Sequence, residues 1–364
     1  MKRSVLKRLF LSGLPLAFLL VSCDVHEFPG PTEPAKYPVV LDLTFDTELP
    51  VYQTVDVKTR VSDDPQAYNL RYTVCIYRAD AEGAFGREEE RRMVVTKSVT
   101  AQPDLRIETQ LEEGAYRFIV WTDFVDAGTQ EHKFFRTDDF SEVALLTSEY
   151  AGSTEFRDAF RGRADAAIAK PAQEGPIVVP VPMTRPQARY SFVSTDLTEF
   201  MTRVQALRES REHSASQDAG ASQDAGASQD ADPADEPTRS IDLDDFRVVV
   251  HYAGYVPSSF NLFTDQTADA STGVQFESRI TRTSDSEASL GFDYVLVNEG
   301  EASVKVSLEV YDRDGTQLSA TNPFDIPLMR GRHTIVRGNF LTSEASGGIG
   351  IDPGFDGDWN YPVQ

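Results

Sequence analysis

Residues 68–76, YNLRYTVCI, decide how the rest of the chain is read. Tyr68, Leu70, Tyr72, Val74 and Ile76 alternate with Asn69, Arg71, Thr73 and Cys75. Successive side chains on an extended strand point to opposite faces, so a period of two predicts a half-buried β-strand. The same alternation runs upstream through Val55, Val57, Thr59 and Val61, and downstream through Leu105, Ile107, Thr109 and Leu111. Glu113-Gly114 then turns the chain into Tyr116, Phe118 and Val120, with Trp121 on the other face. Strands punctuated by such turns predict antiparallel hairpins.

Ser153 to Ile168 carries Phe156, Phe160 and Ala164 at four-residue spacing among helix formers, which predicts a short helix or irregular connection. Ile177 to Pro182 holds Pro180 and Pro182, and proline has no N–H to give a ladder, so an edge or interdomain strand is expected there. The domain boundary is placed near Arg185. Beyond it a helix is predicted from Asp196, as N-cap, to Arg208, with Leu197, Phe200, Met201, Val204 and Leu207 on one stripe. Strands resume at Phe246 to Tyr252, Leu290 to Val297, Val304 to Tyr311 and Thr334 to Leu341, with turns at Asn298-Glu299-Gly300 and Asp312 to Gly315. Between helix and strands, Ser-Gln-Asp-Ala-Gly-Ala recurs from Ser216 and Ser222 and nearly again from Ser228. Residues 214–237 have no large apolar side chain to offset their ordering entropy, and a disordered insertion is expected.

The chain opens MKRSVLKRLFLSGLPLAFLLVSC, a basic start and an apolar run that ends at Cys23. Leu9 to Val21 is shorter than the roughly 20 residues of a spanning helix, so residues 1–22 read as a cleaved signal. The segment resembles a bacterial lipobox, which implies a lipidated Cys23. Asp24 to Pro38 is proline-rich and reads as a tether. The formal charge is −23 over 364 residues, and no basic stripe opposes it, so nucleic acid is excluded as a partner. With Cys23 acylated, Cys75 is left alone and no internal disulfide forms. The expected organisation is signal 1–22, tether 23–38, a mainly β domain over 39–185 and a second over 186–364.

No motif carries chemistry. His26, His132, His213, His251 and His333 are dispersed, without metal-ligand spacing, and no cofactor is expected. There is no glycine-flanked serine elbow and no Gly-Lys-Ser/Thr phosphate loop. Asp352, Asp356 and Asp358 are candidate calcium ligands, but they lack the acid spacing of an EF-hand, and polar turns before a terminal strand are preferred. Trp121 and Trp359 are read first as packing and second as sugar platforms. Cys75 is read as a small strand residue rather than a nucleophile.

Four longer stretches are more specific: YRFIVWTDFVDAGTQEHKFFRTDDFSEV (116–143), FRVVVHYAGYVPSSFNLFTDQTADASTGVQFES (246–278), EASLGFDYVLVNEGEASVKVSLEVYD (287–312) and RGNFLTSEASGGIGIDPGFDGDWNYPV (337–363). Together they resemble Bacteroides-type exported lipoproteins related to FimB-like anchor subunits of fimbriae. The resemblance implies two antiparallel transthyretin-like β-sandwiches in tandem, a non-enzymatic role as fimbrial anchor or accessory subunit, fimbrial structural subunits as partners, and an outer-membrane location exposed at the surface. In stalk relatives a protease removes the first strand. An anchor cut that way would part from its lipid, so residues 39–61 are expected to stay in the first sandwich. Trp359, Asn360, Tyr361 and Val363 are the expected partner contact, unless that segment closes its own sheet. The alternative is a surface lipoprotein that binds glycan or a host ligand through Tyr252, Tyr255 and Phe260.

Overall fold

The computed structural model describes residues 34–48, 65–99, 103–148, 150–220 and 241–343, and the described residues from Lys36 onward belong to one compact unit. The first half contributes β1 (Lys36–Phe45), β2 (Tyr68–Arg78), β3 (Arg91–Ser98), β4 (Leu105–Glu112), β5 (Gly114–Asp126), β6 (Phe135–Arg136), β7 (Val143–Leu145), β8 (Phe160–Ile168) and β9 (Ile177–Thr184). The second begins with β10 (Gln187–Ser194) and the helix α1 (Leu197–Gly220). There follow β11 (Arg247–Tyr252), β12 (Val256–Asn261), β13 (Gln266–Ser271), β14 (Gln275–Arg279), β15 (Thr281–Arg282) and β16 (Ala288–Leu296). The last strands are β17 (Glu301–Tyr311), β18 (Gln317–Ala320), β19 (Phe324–Met329) and β20 (His333–Gly338). The protein is mainly β, as the alternation predicts.

Seven strands of the first half form one sheet in the order β3-β2-β5-β8-β9-β1-β4. Its two flanks close on a shared core: Val39, Leu41 and Leu43 of β1 pack with Tyr72, Val74, Phe118 and Val120 of β2 and β5. The fold-over lies between β8 and β9, which pair only at Arg161↔Thr184 and Gly162↔Met183. Gly162 is required there, because a Cβ would stand 2.4 Å from the Met183 sulfur and 2.9 Å from the Pro182 carbonyl. In the second half, a sheet of β15-β16-β10-β20 faces one of β14, β11, β17, β18 and β19, with Tyr190, Phe192, Leu290, Val250 and Val306 between them. Leu197, Phe200 and Val204 of α1 seal one end of this core.

A fourth sheet, β13-β12-β7-β6, takes two strands from each half. It covers a third apolar cluster in which Cys75, Tyr77, Ile119 and Trp121, from the outer faces of β2 and β5, meet Phe135, Val143, Phe260 and Leu296. Trp121 is wholly buried and packs edge-on against Phe135 at 5.3 Å, which bears out its reading as packing.

Several local expectations are corrected. Residues 153–168 form a single 3-10 turn, Glu155–Arg157, followed by β8. A four-residue spacing of Phe160, Ala164 and Ile168 is also a multiple of two, and the polar Arg161, Arg163 and Asp165 between them supply the strand period. Glu113-Gly114 does not close a hairpin, since β4 pairs with β1 while β5 lies between β2 and β8. The sheets are not purely antiparallel: β1 runs parallel to β9, and β10 parallel to β20. β9 is internal to its sheet rather than an edge. Asp46 donates to the Met183 carbonyl, which turns Met183, Val181 and Val179 toward β1 and leaves Pro180 and Pro182 on the flank where pairing with β8 lapses. Helix α1 runs on through Gly220, so residues 214–220 of the expected disordered insertion are helical. Once a helix is nucleated, adding a residue needs no new nucleus, and Ala215, Gln217 and Ala219 are favourable additions. The rest of the insertion, and the strand expected at Val55–Val61, lie outside the described residues.

Candidate functional site

β1 is seated as an internal strand of the first sheet. Its alternation puts Val39, Leu41 and Leu43 in the core with no exposure. It is paired on both sides, antiparallel to β4 from Lys36↔Glu112 to Leu43↔Leu105 and parallel to β9 from Val39↔Ile177 to Phe45↔Met183. Its C-terminal end is pinned further. The Phe45 ring packs edge-on to Phe160 at 5.2 Å and Tyr72 at 6.0 Å, and its amide donates to Asp104 Oδ1 at 3.0 Å. Arg185, the expected boundary residue, donates to the carbonyls of Asp46 and Glu48 and holds Asp158 at 2.7 Å. Residues 39–45 thus lie within the first sheet, and residues 49–61 lie outside the described residues. An open depression of about 620 Å³ beside the start of β1 is lined by Lys36, Pro38, Val40, Arg91, Glu108 and Pro176, charges of both signs on mixed walls.

A buried polar network joins the two halves. Arg157 Nη1 meets Asp293 Oδ1 at 2.5 Å, and both side chains are 2 % exposed or less. Tyr150 and Tyr252 each donate a hydroxyl to Asp293 Oδ2 at 2.7 Å, Tyr190 donates to Tyr252 at 2.9 Å, and the Arg157 guanidinium lies over the Tyr150 ring at 4.0 Å. Burial holds the Tyr150, Tyr190 and Tyr252 hydroxyls well above the usual phenol range. Desolvation works against the Arg157 charge, but the Asp293 carboxylate and the tyrosine oxygens outweigh it and the guanidinium is held more firmly protonated. Hydroxyls that stay protonated and hydrogen-bonded around a shared carboxylate make a structural clasp. Arg161 and Arg330 both reach Asp265, at 2.6 and 2.7 Å, and Arg189 and Tyr294 both reach Glu155, at 2.7 and 2.6 Å, adding further cross-links between the halves. Within the first half, Arg71 binds Asp123 through two nitrogens, at 2.9 and 2.6 Å, with almost no exposure.

Sequence reasoning missed these pairs. Arg71 and Asp123 stand at the polar positions of alternating strands and read as solvent-facing, whereas the segment of Gln130, His132 and Phe135 covers them and accepts from the guanidinium.

The remaining candidates divide cleanly. Cys75 is fully buried and desolvation drives its thiol far above the usual range, so it is no nucleophile. His132 meets Arg71 and Asp138, His251 meets Glu309, and His333 meets Ser191, so the three are separate; no group of three or more metal-ligating side chains occurs among the described residues. The aromatic patch of Tyr252, Tyr255 and Phe260 does not exist as a surface. Tyr252 and Phe260 are 4 % and 0 % exposed, in different cores, and Tyr255 alone stands out at 76 %. Asp196, expected to cap α1, turns its carboxylate to Thr342 and Ser194 instead. Cys23, the candidate calcium ligands Asp352, Asp356 and Asp358, and the expected contact Trp359, Asn360, Tyr361 and Val363 lie outside the described residues.

Residues 34–364 match the model of a family of unknown function, DUF6562, and the chain belongs to that family. No curated protein matches significantly. Among solved structures, a candidate adhesin from Bacteroides thetaiotaomicron is similar at 10 % identity and a TM-score of 0.42, covering 84 % of this chain and 92 % of its own. The fimbrial anchor protein Mfa2 from Porphyromonas gingivalis is similar at 10 % identity and 0.33, with 78 % and 82 % covered. A fimbrial assembly protein from Parabacteroides distasonis is similar at 10 % and 0.36, with 84 % and 92 % covered. These belong to the group that the sequence resemblance indicates.

Proposed function

We propose that this member of the DUF6562 family is a non-enzymatic anchor or accessory subunit of a fimbria, held to the outer membrane by a lipid on Cys23 and exposed at the cell surface. Residues 24–38 act as a spacer, and the two domains, 39–185 and 186–364, together present a strand to fimbrial subunits. The observation that carries this reading is the seat of β1. A strand paired on both sides, with Val39, Leu41 and Leu43 wholly buried, is an integral part of its sheet, which suits a subunit that must stay joined to its N-terminal lipid. Trp359, Asn360, Tyr361 and Val363 are the proposed contact with the first fimbrial subunit.

The test compares outer membranes from cells carrying native protein and Cys23→Ala. Filament subunits crosslinked to the native chain, together with filaments shed into the medium by the variant, are the expected result. Filaments retained by the variant, with no subunit crosslinked to either form, would overturn the proposal.

A further inference from the structure

We infer that the first half is a mechanical clamp, in which β1 resists tension by shear against β9 and β4. The argument is topological. The chain enters β1 at Lys36, opposite Glu112, at one end of the sheet. The second half departs from the other end: β9 runs parallel to β1, Phe45 lies beside Met183, and only Arg185 and Pro186 separate Thr184 from the start of β10 at Gln187. Tension between the N-terminus and the second half therefore acts along β1, and it crosses to β9 through the lateral hydrogen bonds between them.

Bonds loaded in shear share the force and must fail together, whereas bonds opened from one end fail singly. The amides of Val179, Val181 and Met183 face β1, and Pro180 and Pro182 fall on the opposite flank, so the prolines of β9 leave this ladder intact. Arg185 adds to the grip by joining the carbonyls of Asp46 and Glu48 to Asp158, at the end where the load passes into the second half. The second half repeats the arrangement, with β10 parallel to β20 from Arg189↔His333 to Ser194↔Gly338. The direction of the load rests on the anchor reading; the resistance follows from strand order alone.

Single-molecule pulling separates the two claims, since it needs neither lipid nor fimbria. The full chain, in a Cys23→Ala background with one handle at its N-terminus, takes a second handle through Asp285→Cys, beyond β10, or through Glu113→Cys, beside Lys36. Asp285 and Glu113 are both exposed. The first geometry shears β1; the second unzips it from β4. Unfolding under force is governed by the barrier met along the pulling direction, and the shear geometry is expected to rupture at severalfold higher force. Equal forces in the two geometries overturn the inference. Val181→Pro, which removes an amide facing β1, is expected to lower the shear force, and Val178→Pro, on the proline flank, to leave it unchanged. An equal loss in both variants would also overturn it. Should Val181→Pro fail to fold, the two geometries of the Cys23→Ala chain still decide.

Discussion

The two halves hold their terminal strands by the same device with different grip. In each, the first strand runs parallel to the last, β1 to β9 and β10 to β20. β1 is paired on both sides and turns three residues into the core with no exposure, while β20 is paired only to β10 among the described residues and is half-exposed along its length. Burial on both faces and hydrogen bonds on both edges make a strand indispensable. An edge strand with half-buried side chains has less to lose. The strength of the molecule is thus concentrated at its N-terminal strand and at the seam between the halves, where ion pairs and a sheet drawn from both replace a flexible linker.

The sharpest break is to separate the halves. Expressed alone, residues 186–364 lose Arg157 from Asp293 and β7 from β12, and the fragment is expected to give poorly dispersed amide spectra. A well-dispersed spectrum would show that the seam is dispensable. Next, Asp293→Ala strands the Arg157 charge without its partner and is expected to destabilise by about 3–5 kcal/mol in denaturant titration. A matched pair then compares the two terminal strands. Val39→Ala, fully buried in β1, is expected to cost about 2 kcal/mol, and Val336→Ala, partly buried in β20, about 1 kcal/mol or less. Equal losses would show that the two strands are gripped alike.

Acid should loosen the weaker end first. Burial, with Arg189 nearby, depresses the His333 imidazole from its usual 6.5 to about 3, so between those values the unfolded chain binds a proton that the native protein does not. Stability on this account is full above pH 6.5 and is lost as pH falls toward 3. Lowering pH from 7 to 5 is expected to remove about 1–2 kcal/mol, discounted for the ring's partial exposure. Unfolding midpoints of His333→Gln should change less over the same interval, and an unchanged slope would remove His333 from the account. The smallest effect is expected from deleting residues 221–237, within about 1 kcal/mol by thermal melts, since loop-closure entropy changes slowly with length. A larger loss would give the repeat a structural part.

What was legible in the sequence was local. Tyr68 to Ile76, Leu105 to Leu111 and Phe246 to Tyr252 alternate strongly enough to name strands, and the turn at Asp312 to Gly315 closes a true hairpin between β17 and β18. The start of α1 was legible in its apolar stripe, although its continuation to Gly220, into the Ser-Gln-Asp-Ala-Gly repeat, was not. Pro180 and Pro182 announced a strand with one silent flank, but not that the silent flank lies inside a sheet.

By itself, then, the sequence determined the β class, the positions of several long strands and one buried face of each of these, because side-chain period and turn chemistry are set by neighbours in the chain. Only the tertiary structure decided that β1 lies parallel to β9, that the second face of β2 and β5 is buried as well, and that Arg71, Asp123, Arg157 and Asp293 are interior charges rather than a solvated surface. The reason is that pairing partners and second-face burial depend on residues far away in sequence: Arg157 and Asp293 are 136 positions apart. No local pattern records which distant surface will remove a polar side chain from water.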